Sequence, residues 1–160
     1  MSMRTKITSA RGGGVDVQLP TDIRELLASL ARQLGDLIDD PDAAADPGVQ
    51  RLFPPASLDD PIEALGFEQL MGDALRAGKR ETAAVLAATA DATHLDPEET
   101  LAWMRCMNDI RLLVGTRLEI QEDTDVEGLF ADPLLEHAAV VYVALSELVE
   151  MLSRAVDPTV

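Results

Sequence analysis

The stretch Leu95-Asp96-Pro97-Glu98-Glu99 starts a helix more firmly than any other part of this chain. Asp96 can cap the helix, Pro97 takes the first position, where a missing N–H costs nothing, and Glu99 stands three residues after the cap, within reach of its backbone. The helix expected here, residues 97–115, runs into Met107-Asn108-Asp109-Ile110-Arg111-Leu112 and then Gly115-Thr116-Arg117-Leu118, where polar groups are set among apolar ones. At about 100° per residue, Trp103, Met107, Ile110, Val114 and Leu118 share one face, which Cys106 and Leu113 widen. Arg111 and Arg117 fall on the margins of that face. Arg105, Asn108 and Asp109 lie on the far side, but Leu101 and Leu112 lie there too, so contacts on more than one side are expected. The arginines then need partners, and the acids of the loop 39–63 are the ones available. Breaking a buried pair of this kind costs about 3–5 kcal/mol. Gly115 either ends the helix or sits inside it.

A helix contacted on several sides needs other helices around it, and the composition supplies them. Hydrophobic residues make up 47% of the 160, while aromatics make up only 3%. That balance favours a mainly α fold, a helical bundle packed through aliphatic side chains. A chain of this length fits one domain and buries roughly 68–70% of its unfolded surface. Lys6-Ile7-Thr8-Ser9 and Val15-Asp16-Val17-Gln18-Leu19 read as a short N-terminal β-hairpin over residues 5–19, with Arg11-Gly12-Gly13-Gly14 as its turn. The glycines are not followed by Lys-Ser or Lys-Thr, so they serve the turn and not a phosphate.

Ile23, Leu26, Leu27, Leu30, Leu34, Leu37 and Ile38 then mark an amphipathic helix over 21–39, with Thr21 as its cap. Residues 40–60 are broken by prolines but carry Val49, Leu52 and Phe53, which should dock them on the core. Asp60-Pro61 opens a helix to about residue 92, either continuous or broken near Gly72 or Gly78. Asp132-Pro133 opens a last helix, residues 133–155. Its middle, Val140-Val141-Tyr142-Val143-Ala144-Leu145, is apolar on almost every side, which suggests the centre of the bundle or, failing that, a homodimer contact.

Several functions lose their footing. A net charge of −16 opposes direct nucleic-acid binding, because a phosphate backbone needs clustered Lys and Arg. It suits a basic protein partner or simply an acidic surface. Cys106 is the only cysteine, so one chain forms no disulfide and no cysteine-based zinc site, and Cys106 itself reads as a buried hydrophobe. Residues 1–10 lack an apolar run, and no stretch approaches the roughly 20 apolar residues that span a bilayer. A cytoplasmic protein is expected. Asp123-Thr124-Asp125-Val126-Glu127-Gly128 imitates the first half of a calcium loop, but position twelve is Leu134 where a bidentate Glu is needed. His94 and His137 lack metal-ligand spacing, and no serine sits in a nucleophile elbow. No catalytic residue, metal site or cofactor is therefore expected.

Trp103, Met107-Asn108-Asp109-Ile110-Arg111-Leu112 and Gly115-Thr116-Arg117-Leu118 resemble the hallmark of an actinobacterial family catalogued as domain of unknown function number two thousand and seventeen. Arg51-Leu52-Phe53-Pro54, Asp59-Asp60 and Leu75-Arg76-Ala77-Gly78-Lys79 are similar to its other landmarks, in the same order. The resemblance implies cytoplasmic proteins, often encoded near an adaptor of the Clp protease and sometimes labelled transcriptional regulators, with no catalytic residues. The expectation is a non-enzymatic regulatory or adaptor protein acting through a protein partner. The competing one is a small-ligand-binding or enzymatic domain with an anion pocket around the 108–117 helix. Arg51, Asp60, Asn108, Asp109, Arg111, Thr116 and Arg117 are the candidate residues under either, as a polar network or as a binding site. The pocket reading requires an open cleft with at least two of these side chains unpaired.

Overall fold

A computed structural model of the chain describes residues 4–53 and 61–157. The capping signal at residue 96 is made in full: the Glu99 amide donates to Asp96 Oδ1 at 2.7 Å and the Asp96 amide donates to Glu99 Oε1 at 2.9 Å. From this cap, helix α4 runs over Pro97–Arg117. Gly115 lies inside it, so the helix continues beyond the stop anticipated at 115. It closes two residues later, where Glu119 turns into the left-handed region at φ 56°.

Around α4 stand α1 (Thr21–Asp39), α2 (Pro47–Arg51), α3 (Pro61–Thr89) and α6 (Glu136–Val156), with a short α5 (Val126–Leu129) in the acidic connection before α6. The fold is mainly α. Helix α4 packs on α1, α2, α3 and α6, which makes it the central element. That place was expected for the last helix, but α6 has α4 and the hairpin on one side and leaves Val140 46% exposed on the other. The apolar run of α6 is thus wider than the face it buries. Helix α3 is continuous through Gly72 and Gly78. It ends at Thr89, short of 92, because the chain must leave it to reach a strand.

That strand was not anticipated. β1 (Lys6–Ser9) and β2 (Val15–Gln18) form the expected antiparallel hairpin, but β3 (His94–Leu95) adds to the free edge of β2, giving the order β1-β2-β3. Val15 opposes Leu95, and both are fully buried. Gly12, Gly13 and Gly14 all have positive φ, as their turn role requires. Gly14 also makes room for β3, since a Cβ there would lie 2.0 Å from the Leu95 carbonyl oxygen.

One apolar cluster gathers Val15, Val17 and Leu19 from the hairpin, Leu27, Ala31, Leu34 and Ile38 from α1, Leu86 from α3, Trp103, Cys106, Met107 and Ile110 from α4, and Val141, Leu145 and Leu152 from α6. The Trp103 indole N–H donates to Thr89 Oγ1 at 2.6 Å, satisfying the one polar atom this ring brings inside. The described part of the proline-rich segment, residues 40–53, docks as expected: Val49 and Leu52 are buried, and a second small cluster joins Ala43 and Val49 to Leu113. Phe53 stacks under the Arg76 guanidinium, 5.3 Å from the ring centroid. The last helix begins three residues later than expected. Asp132 Oδ1 accepts the Leu134 amide and folds residues 132–135 into a turn instead, with Leu134 91% exposed.

Among the described residues no helix is long and apolar enough to cross a membrane.

Candidate binding surfaces of helix α4

The polar residues singled out on α4 separate onto three sides of the helix. Asp109 faces α3, where its Oδ1 accepts from Lys79 Nζ at 2.9 Å; the two side chains are 15% and 19% exposed. This is a half-buried ion pair joining the two long helices. Breaking it strands one charge, at a cost approaching the roughly 3–5 kcal/mol of fully buried pairs, whereas replacing both residues by apolar ones is close to neutral.

Arg117 turns to α2. It donates to Asp46 Oδ2 at 3.4 Å, with the arginine side chain 51% exposed. The partner is an acid of the 39–63 loop, as expected, but the pair is open to solvent and not buried. Asp46 has a second task as the N-cap of α2, accepting the amides of Gly48 at 2.8 Å and Val49 at 3.3 Å. Partial burial pushes its carboxyl up, but the two amides and the Arg117 guanidinium outweigh it and hold the carboxyl below its ordinary value.

Arg111 departs from the expectation. Its guanidinium meets no acid among the described residues and donates instead to Asn108 Oδ1 at 2.5 Å, one turn back on the same helix. Thr116 donates to the Leu112 carbonyl oxygen at 2.8 Å. Arg51, at the end of α2, forms no ion pair among the described residues and faces the same place. Together Arg51, Asn108, Arg111 and Thr116 line an open cleft of about 350 Å³ whose far wall is the ring of Tyr142 from α6. Of the seven candidates the structure therefore brings four together. It parts Asp109 and Arg117 from them, and Asp60 falls outside the described residues.

A second concavity was not foreseen. Leu30, Leu34 and Leu37 of α1, Ile110, Leu113 and Val114 of α4, and Ala138 and Val141 of α6 wall a groove of about 450 Å³. Asp36 and Asp40 stand on its α1 rim, with Gln33 beside them, while His137 and Arg117 close the other end. The clue lay in α1, whose apolar stripe is broader than one neighbouring helix can cover.

Cys106 is fully buried, as its neighbours in sequence suggest. Burial first, and then the nearby Asp109 carboxylate, push its thiol up to about 12, against the opposing charge of Lys79. It is held as a neutral, unreactive thiol at neutral pH.

Neither the curated proteins nor the solved structures contain a match to this chain. The family profile described as Domain of unknown function (DUF2017) matches residues 3–156, nearly the whole sequence, and therefore includes α4 and both concavities beside it. The chain belongs to the DUF2017 family.

Proposed function

We propose that this protein is a non-enzymatic regulatory or adaptor protein of the cytoplasm, and that it works by holding a segment of a partner protein in the groove between α1, α4 and α6. The observation that carries this reading is the groove itself, aliphatic along its walls and acidic along the α1 rim at Asp36 and Asp40. Apolar walls with a charged rim suit an amphipathic helix laid face down, anchored by aliphatic side chains one turn apart. The rim and the net charge of −16 favour a partner segment with basic residues flanking its apolar ones. The same charge speaks against direct contact with nucleic acid. The outer face of α6 around the exposed Val140 offers a contact for a second copy of the chain.

The test is an affinity capture from the native cytoplasm with the wild-type chain and the Asp36→Lys/Asp40→Lys variant, which reverses the rim without touching the core. A specific partner should bind the wild type, bind the variant at least tenfold more weakly, and yield a basic amphipathic segment when cross-linked. Equal capture by both chains, or turnover of a substrate by the purified protein at an ordinary enzymatic rate, would overturn the reading.

A further inference from the structure

The structure assigns a second site: we propose that the cleft shared by Arg51, Arg111 and Tyr142 binds a small organic anion through its carboxylate or phosphate group. The site is independent of the groove and lies beside Asn108, Thr116 and Ile120 on the opposite flank of α4.

Its position follows from two glycines. Gly48 lets α2 lie hard against α4, since a Cβ there would come within 2.9 Å of Leu113 Cδ1 and 3.2 Å of the Leu113 carbonyl oxygen. Arg51 is one helical turn further on and is thereby carried over α4 to the cleft. Gly115 opens the floor, where a Cβ would stand 3.2 Å from Tyr142 Cε2. On α4, Asn108, Arg111 and Gly115 follow one another at helical spacing and form a single stripe along the cleft.

The charge balance of the cleft is the reverse of the chain's. Asp and Glu number 29 against 13 Lys and Arg. Yet the cleft is lined by two arginines and no carboxylate. Arg76, Lys79, Arg80, Arg117 and Arg154 each hold an acid, whereas Arg51 and Arg111 do not among the described residues. Arg24, Arg32 and Arg105 hold no acid among the described residues either, but Arg51 and Arg111 converge on one cleft that no carboxylate lines. The Asn108 oxygen steadies Arg111 without neutralising it, leaving further guanidinium N–H groups for a ligand. Planar guanidiniums are the side chains best matched to the paired oxygens of a carboxylate or phosphate. Thr116 is not part of that recognition, because its hydroxyl donates to Leu112.

The volume separates a bare ion from a small molecule. About 350 Å³ is at the small end of the roughly 300–1,000 Å³ of small-molecule pockets, more than an inorganic anion fills. The Tyr142 ring, Leu112 and Ile120 supply an apolar wall for the organic body.

The experiment titrates the ¹⁵N-labelled full chain with phenyl phosphate, benzoate and inorganic phosphate at constant ionic strength, with chloride as the blank, and follows the amide signals of Gly115 and Thr116 and the arginine Nε signals. Phenyl phosphate or benzoate should give saturable shifts there, and whichever binds more tightly identifies phosphate or carboxylate as the natural group. Arg51→Gln should weaken that binding about tenfold, as should Arg111→Gln, while the remote Arg32→Gln should not. Arg51 is exposed, so its variant decides the matter even if Arg111→Gln does not fold. Shifts no larger than those with chloride, or unchanged affinity in Arg51→Gln, would overturn the proposal, and neither outcome bears on the groove.

Discussion

Arg24 does more to join the elements than any residue picked out from sequence. Its Nη1 donates to the carbonyl oxygens of Ala90 at 2.7 Å and Ala92 at 2.8 Å, just past the end of α3, while Nε and Nη2 reach Leu19 and Val17 at 3.3 Å. One guanidinium thus satisfies carbonyls that a helix terminus leaves open and pins the hairpin between α1 and α3. The signal was present: Arg24 falls three residues before Leu27, on the stripe that continues through Ala31, Leu34 and Ile38. A charge on a buried stripe asks for acceptors, but a reading that looks for acids misses backbone carbonyls. Arg24→Met keeps the apolar stem and removes the donors. It should destabilise the fold by about 2–3 kcal/mol in urea unfolding followed by the fluorescence of Trp103. A loss under about 0.5 kcal/mol would mean that water serves these carbonyls equally well.

Among the elements, those with local causes were legible and those with distant causes were not. The span of α1 follows from its local periodicity, although Thr21, expected as its cap, is its first helical residue, behind Pro20 and with no side-chain cap. The start of α4 follows from a cap that acts within a few residues. Strand β3 was missed because His94–Leu95 is extended only by pairing with β2, some eighty positions earlier in the chain. The polar cleft was half legible. Asn108 and Arg111 share a helix face by spacing, whereas Tyr142 arrives from α6 and nothing local announces it. Helix α2, which brings Arg51 to the cleft, hangs on its cap. Because the Asp46 carboxyl holds its proton more weakly in the folded state than at its ordinary value of 3.8, its contribution to stability is present above that value. It is lost as pH falls through the lower, folded-state value. Asp46→Asn keeps a capping oxygen but cannot titrate. The gap in stability between wild type and Asp46→Asn should therefore be open at neutral pH and close below pH 3.8, measured by chemical denaturation across that range. A gap that widens on acidification would show that the carboxylate is not what seats α2.

At the scale of the whole molecule the acidic excess sets two opposing tendencies. A charge of −16 makes the folded chain repel itself, and this long-range term favours expansion. The ion pairs pull the other way, but Arg76–Asp73, Arg80–Asp39 and Arg154–Glu150 are exposed and each is worth little. Among the described residues only Lys79–Asp109 is sheltered on both sides, and a sheltered pair is little affected by salt. Raising ionic strength from about 0.01 to 0.15 M shortens the screening length from about 30 to 8 Å, which removes most of the distant repulsion while leaving contacts at 3 Å largely intact. The repulsion between surface acids should dominate the response, so sodium chloride should raise Tm over this range, with most of the gain at the low end. The same screening should weaken capture of a basic segment at the groove rim and of an anion at Arg51 and Arg111. Stability and binding should thus move in opposite directions with salt. Thermal unfolding and titration on one salt series test this together, and a Tm that falls with salt would mean that the exposed pairs outweigh the net charge.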